Sequence, residues 1–98
     1  MINKDLPFIN KIQIQDLLPH REPMLLLDNL FNIVPMKSAL GHLKINTDKF
    51  YVQGHFPGQP VMPGVMIVES FGQAAAALAA YSIDCLLYTS DAADESCS

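Results

Sequence analysis

The spacing of apolar and polar residues predicts a short helix followed by a β-hairpin. Ile12 to Leu18 is amphipathic, and Pro19 ends this segment because proline cannot continue a helix. The apolar run Leu30 to Val34 predicts a strand, and the alternation from Ala39 to Thr47 predicts a second one. Pro35 to Ser38 lies between them as a turn, so we expect an antiparallel hairpin.

One long helix is predicted from Gly64 to about Ser82, after a loop stiffened by prolines and glycines. Its faces are apolar nearly all the way round, so it must be covered on most sides, and a sheet wrapped around it is expected. Two strands cannot enclose such a helix, and an isolated hairpin is marginal in water. We therefore expect an α+β fold that is incomplete in this chain, with further strands supplied by more chain or by a partner.

Composition narrows the class of protein. The chain has 98 residues, which is enough for one small domain, and half of them are hydrophobic, which excludes a disordered composition. Its formal net charge is −4 with no basic run, so we expect no nucleic-acid partner. The N-terminus lacks the apolar stretch of a signal peptide. Glu69 interrupts the long apolar segment, which favours a buried soluble helix over a membrane span and therefore a cytoplasmic protein.

The chain changes character after Asp84. Residues 1–84 form the predicted domain, whereas residues 85–98 end in an acidic, serine-rich stretch that we predict to be disordered and foreign to the domain. Cys85 and Cys97 have no metal-ligand or CxxC spacing, so two free thiols are expected.

The candidate chemistry lies between Gly54 and Gln73. His55 sits in a Gly/Pro-stiffened turn and suits proton transfer near neutral pH, although many loop histidines only form hydrogen bonds. Glu69 lies among apolar neighbours, and a desolvated carboxylate suits a general acid; the alternative is a solvent-facing helix edge. Gly64 opens the helix, where its N–H could polarise a carbonyl; the alternative is a glycine needed only for its backbone angle.

A base, an acid and a carbonyl polariser together suit proton abstraction next to a carbonyl, with a leaving group lost from the next carbon. Nucleophilic hydrolysis fits less well, because no serine or cysteine lies in an activating motif. The three histidines show no metal-binding spacing.

Three motifs carry a resemblance to a known family: Leu-Pro-His-Arg-Glu-Pro-Met-Leu-Leu-Leu-Asp over 18–28, Gly-His-Phe-Pro over 54–57, and Pro-Val-Met-Pro-Gly-Val-Met-Ile-Val-Glu-Ser-Phe-Gly-Gln over 60–73. In this order they closely resemble the FabZ-type (3R)-hydroxyacyl-[acyl carrier protein] dehydratases. The resemblance implies a hotdog fold, in which an antiparallel sheet curls around a long central helix. It also implies removal of water from a β-hydroxyacyl thioester in fatty acid biosynthesis.

The resemblance assigns roles to particular residues. His55 corresponds to the catalytic histidine, Glu69 to the catalytic carboxylate of the facing protomer, and Gly64 to the N–H donor for the thioester carbonyl. The acyl tunnel at the dimer interface would be lined by Phe56, Pro57, Val65 and Met66. The family implies a homodimer, often assembled as a trimer of dimers. It implies no metal or organic cofactor, since the phosphopantetheine arm arrives with acyl carrier protein.

Two departures from the family pattern stand out. Glu22 occupies the position after Leu-Pro-His-Arg where an aromatic residue associated with tunnel gating is usual. Relatives also continue past the central helix through several more strands. Two other functions stay open: a hotdog acyl-thioesterase, and an inactive fragment that binds acyl groups or pairs with an intact subunit.

Overall fold

A three-stranded antiparallel sheet and two helices make up the part of the chain that the computed structural model describes, namely residues 2–45, 49–50 and 62–92, with side chains through 87. The elements in chain order are β1 (Ile9–Asn10), α1 (Lys11–Leu17), β2 (Asn29–Val34), β3 (Ser38–His42) and α2 (Gly64–Ala92). The sheet order is β1-β2-β3, with β2 in the centre.

The helix α1 begins where Asn10 caps it. The Asn10 side chain accepts from the Gln13 N–H, and the Gln13 side chain accepts from the Asn10 N–H, both at 2.9 Å. This reciprocal pair satisfies two backbone donors that a helix start otherwise leaves unpaired. The predicted amphipathic segment is therefore a helix, and it buries Ile14 against the core.

The predicted hairpin is confirmed. Leu30 pairs with Gly41 and Val34 with Ser38, with a register shift between Phe31 and Val34. β3 ends at His42, so it is shorter than the predicted strand, and 46–48 lie outside the described residues. The two-residue β1, which the sequence did not predict, pairs Ile9 with Leu30.

The core lies between the sheet, α1 and one side of α2. Its buried members are Ile9, Ile14, Leu18, Leu25, Leu27, Leu30, Ile33 and Ala77. Each fully buried aliphatic side chain of this kind contributes about 1.5–3 kcal/mol relative to exposure. The β3 strand reaches α2 closely at Gly41, where an added Cβ would lie 3.4 Å from the Ala74 Cβ.

The long helix α2 is covered on one side only within the described part of the chain. A stripe at helical spacing faces the core and includes Ser70, Gln73 and Ala77, whereas Val65 and Val68 are 75% and 70% exposed. Phe71, Ile83, Leu86 and Leu87 are also exposed. The expectation that this helix is apolar all round holds, but the expected cover on most sides is not present among these residues.

Two expectations about the C-terminal part of the chain change. The first is the end of the long helix, because α2 continues past Ser82 to Ala92 and passes Asp84 without a break. The predicted domain boundary at 84 stays a prediction. Cys85 is disulfide-bonded, so the prediction of two free thiols is wrong.

Candidate active site

Glu69 lies on α2 at the edge of its core-facing stripe, and Gln73 holds it there. The two residues are one helical turn apart, and the Gln73 Nε2 donates to Glu69 Oε2 at 3.1 Å. The Glu69 side chain is 45% exposed, so the expectation of a buried carboxylate is wrong for this chain. Its apolar sequence neighbours do not bury it because Val65 and Val68 point to the open side of the helix.

Gln73 is 1% exposed and connects the helix to the chain segment before β2. Its Oε1 accepts from the Leu26 N–H at 2.9 Å, and its Nε2 also donates to the Met24 carbonyl at 2.8 Å. Because the Leu26 N–H can only donate, the amide oxygen must face it and the NH₂ group must face Glu69. The bonds from Gln73 to Leu26 and Met24 therefore fix the orientation of the amide group that donates to Glu69.

The Leu-Pro-His-Arg segment approaches the same carboxylate from the other side. His20 Nε2 lies 3.7 Å from Glu69 Oε2, with side-chain exposures of 33% and 45%. The backbone at His20 is fixed by Arg21, whose Nη1 donates to the carbonyls of Leu18 and His20 at 2.8 and 2.7 Å. The structure thus brings together two of the sequence motifs around one oxygen of Glu69.

Glu22, the departure from the family pattern, is bound by a cation on α1. Lys11 Nζ lies 2.5 Å from Glu22 Oε1 and 3.2 Å from Asp28 Oδ1. Partial burial of Lys11 acts to lower its pKa, but the hydrogen bonds and the attraction to both carboxylates outweigh that effect and raise the pKa above 10.5. Where an aromatic side chain is usual, this chain has a carboxylate tied to the first helix.

Gly64 is the first residue of α2, as predicted, and it is exposed. Apart from its two chain neighbours and the nearby backbone of its own helix, no atom of the described residues lies within 4 Å of a Cβ built there, so the space in front of this backbone is open within that part of the chain. The N–H groups of Met66 and Ile67 both donate to the Pro63 carbonyl, at 3.0 and 3.2 Å, which fixes the first turn.

The predicted tunnel residues fall into two groups. Phe56 and Pro57 lie outside the described residues, as does the predicted base His55. Val65 is exposed, while Met66 packs against Leu26 and Met62 in a second small apolar cluster. The roles assigned to these residues stay predictions.

An apolar cavity of about 440 Å³ lies between β3 and α2. Its walls come from Leu27, Ala39, Leu40, Gly41, His42, Leu43, Ile67, Ser70, Phe71 and Ala74. Neither Val65 nor Met66 lines it, although Ile67 and Phe71 are on the same helix. The lining is mostly apolar, and the volume falls within the range of small-molecule pockets.

Sequence reasoning missed two polar residues of α2 that organise this region. Gln73 has no role in the sequence prediction beyond its place at the end of the 60–73 motif. Ser82 is fully buried, and its Oγ accepts from the Met36 N–H at 2.8 Å in the hairpin turn while donating to the Leu78 carbonyl. The detectable signal was polar residues at helical spacing within an otherwise apolar helix.

By length and composition alone, the stretch Gly64–Leu87 of α2 could cross a membrane. This is weak evidence, because the core helix of a soluble protein passes the same test. Among the residues that the structure describes, no cluster of three or more His, Cys, Asp or Glu could hold a metal ion.

Comparison with known proteins gives consistent matches. Residues 18–88 match the FabA-like domain family. The chain is 50% identical over 70 residues to the 3-hydroxyacyl-[acyl-carrier-protein] dehydratase FabZ of Dinoroseobacter shibae, covering 71% of this chain and 43% of that protein. It is 49% identical over 72 residues to the protein of the same name from Rickettsia typhi, covering 74% and 50%. The match to the Anaeromyxobacter protein of that name is 46% over 77 residues, covering 79% and 49%. The chain therefore spans about half the length of the curated relatives it matches.

Proposed function

The chain belongs to the FabA-like domain family, and from this premise we propose that the protein dehydrates (3R)-hydroxyacyl-[acyl carrier protein] to the trans-2-enoyl product in fatty acid biosynthesis. The fold is the α+β hotdog arrangement, incomplete in this chain, with an antiparallel sheet against the long helix α2. The observation that carries the proposal is the Glu69 carboxylate, held at one oxygen by Gln73 and half-exposed beside the open end of the helix.

The proposed reaction divides the proton transfers between two residues. His55 removes a proton from the carbon next to the thioester carbonyl, and Glu69 donates a proton to the hydroxyl on the following carbon. That C–O bond breaks, the hydroxyl leaves as water, and the carbon–carbon double bond forms. The Gly64 N–H, at the positive end of α2, stabilises the negative charge that develops on the carbonyl oxygen.

Glu69 suits the acid role because its two oxygens differ in surroundings. Oε2 already accepts from Gln73 at 3.1 Å and faces His20 at 3.7 Å. A proton placed on the carboxyl group is then best carried by Oε1, which is the oxygen a substrate hydroxyl would meet. Because the net reaction consumes no proton, the proton that His55 takes up must return to Glu69 before the next turnover.

The proposed partners follow from the family. We assign acyl carrier protein as the carrier of the substrate, with its phosphopantetheine arm entering the site and no metal or organic cofactor taking part. We assign a homodimer as the working unit and a trimer of dimers as the larger assembly, with Glu69 acting on substrate bound to the facing protomer. The exposed Val65, Val68 and Phe71 on α2 support a need for such cover.

We also place the protein in the cytoplasm, without a membrane span. Support comes from the polar side chains that tie α2 to the rest of the fold. Gln73 bonds the segment before β2, and Ser82 bonds the hairpin turn. A lipid-embedded helix would have to give up these bonds and place Glu69 in hydrocarbon.

Hydration of a short trans-2-enoyl thioester, the reverse reaction, tests the proposal through the loss of enoyl absorbance. We expect His55→Ala and Glu69→Gln to lower kcat by about 100-fold or more, as removal of a general acid or base does. Asp84→Asn, an exposed carboxylate on the same helix, is the matched control and should leave turnover unchanged. Turnover that survives His55→Ala contradicts the proposal, and release of free thiol instead would indicate the acyl-thioesterase.

One observation favours a second candidate, an inactive fragment that pairs with an intact subunit. The apolar side of α2 is open in the described part of the chain, and the chain spans about half the length of its relatives. Size-exclusion chromatography of the chain alone and mixed with a full-length relative distinguishes the two candidates. A stable mixed complex without turnover by the chain would favour the fragment.

A further inference from the structure

His20 stands out because it is distant from Glu69 in sequence but adjacent to it in space. Its Nε2 lies 3.7 Å from Glu69 Oε2 across the gap between the Leu-Pro-His-Arg segment and α2. That distance is longer than a hydrogen bond, so the interaction here is electrostatic. Catalytic hydrogen bonds are often long before substrate binds and shorten when it does.

The surroundings of the two ring nitrogens bear on which of them carries the proton. Nδ1 is a buried atom with no hydrogen-bond partner among the residues that the structure describes. A neutral imidazole carries one N–H and one lone pair. Either tautomer leaves the buried Nδ1 unpaired among these residues, whether that atom carries the proton or the lone pair. Only the tautomer with the proton on Nε2 places an N–H, and not a second lone pair, opposite the Glu69 carboxylate.

The backbone that carries His20 is held by hydrogen bonds within its own segment. Arg21 donates to the carbonyls of Leu18 and His20, and the Met24 and Leu25 N–H groups both donate to the Arg21 carbonyl. These bonds hold the turn that carries His20 in place. The backbone from which the His20 ring extends is therefore preorganised.

We propose that His20 is a positioning residue for the acid step: with Gln73 it directs two donors at Glu69 Oε2, so that Oε1 is the oxygen presented to the substrate hydroxyl. The inference rests on the proposed function, since it assigns a task to Glu69 in that reaction. Gln73 alone can hold Oε2 from one side, because it lies on the same helix one turn away. His20 supplies the second direction, from a different segment, and so restricts rotation of the carboxylate.

Two substitutions separate this role from packing. His20→Phe keeps an aromatic ring in the turn and removes the donor, whereas His20→Gln restores an amide N–H near the position of Nε2. We expect His20→Phe to lower kcat about tenfold to 100-fold with KM within about twofold, the size that a misplaced catalytic group produces. His20→Gln should recover most of that loss. Equal activity of His20→Phe and the unsubstituted chain would overturn the proposal, as would loss in KM alone.

A measurement independent of turnover tests the contact itself. In ¹⁵N-labelled chain, long-range ¹H–¹⁵N correlation spectra report which ring nitrogen of His20 carries the proton. We expect protonated Nε2, and a shift of that resonance in Glu69→Gln but not in Asp84→Asn. If the His20 ring resonance does not shift in Glu69→Gln, the proposal is overturned. If the resonance shifts but the chain has no turnover, the contact between His20 and Glu69 is real. In that case the proposed dehydration fails, and the catalytic task of His20 fails with it.

Discussion

Replacing Gln73 by leucine should destabilise this fold although leucine is apolar and similar in size. The amide is 1% exposed and makes three hydrogen bonds, to Leu26, Met24 and Glu69. Leucine can make none of them. The substitution therefore removes the link between α2 and the segment before β2 while keeping the site filled.

The cost can be worked out group by group. Leu26 is only 6% exposed, so its N–H loses its acceptor without regaining water, at about 1–3 kcal/mol. Met24 is 49% exposed and Glu69 half-exposed, so their groups are rehydrated and lose about 0.5–1 kcal/mol each. Added apolar burial by leucine returns about 1–2 kcal/mol. The net loss is about 2 kcal/mol, within a range of about 0–4 kcal/mol, and a loss of 2 kcal/mol lowers the Tm by roughly 8–16 °C in a domain of this size.

Thermal and urea unfolding followed by far-ultraviolet circular dichroism measure this loss. Ser70→Ala is the matched control, because the Ser70 hydroxyl is buried on the same helix but donates only to the Ile67 carbonyl of that helix, at 2.7 Å. We expect the control to cost at most about 1 kcal/mol. If Gln73→Leu costs no more than Ser70→Ala, the hydrogen bonds do not hold the two segments together and the reasoning fails.

Three further predictions follow from particular contacts. Gly41→Ala should cost about 1–3 kcal/mol in urea unfolding, because the new Cβ would lie 3.2 Å from the buried Leu27 Cδ2; an unchanged midpoint would show that β3 and α2 can separate there. Gly64→Ala and the control Gly72→Ala both meet open space within the described residues and should each stabilise the helix by up to about 1 kcal/mol. Only Gly64→Ala should lower turnover, by obstructing the substrate carbonyl, and equal turnover of the two variants would argue against that role. The folded-state pKa of Lys11 is raised above 10.5, so its stabilisation is complete below that pH and is lost as pH rises through the folded-state pKa. Lys11→Met should remove this alkaline loss, and an unchanged unfolding profile above pH 10.5 in that variant would assign the loss to other groups.

The elements that depend on local pattern were predictable from the sequence. The amphipathic segment before Pro19 is α1, and the apolar run, turn and alternation after it are the hairpin β2–β3. Each signal lies within a few residues of the structure it specifies. The two-residue β1 has no such signal, because its pairing with β2 depends on residues about twenty positions away.

The surroundings of Glu69 were not predictable in the same way. Sequence neighbours suggested a buried acid, but burial of a helix residue depends on what packs against its face, and that is set by tertiary structure. Gln73, four residues later, was within reach as a helical i, i+4 partner. The approach of His20 to Glu69 was not predictable. It depends on how the chain between them, which includes β2 and β3, brings α2 back beside the Leu-Pro-His-Arg segment.

The half-exposed Glu69 and the open side of α2 have one physical cause. Val65, Val68 and Phe71 lie on the uncovered face of the helix, and Glu69 stands between that face and the covered one. Whatever covers those three side chains also removes water from the carboxylate, and it would bury several hundred Å² of apolar surface in doing so. Covering the helix and completing the acid site are therefore the same event. This coupling predicts that Val68→Ser, which changes no proposed catalytic group and no residue of the apolar cavity wall, lowers assembly and turnover together. Assembly and turnover should be measured together across a series of protein concentrations. If turnover falls in the variant while assembly is unchanged, covering the helix and completing the acid site are separate events.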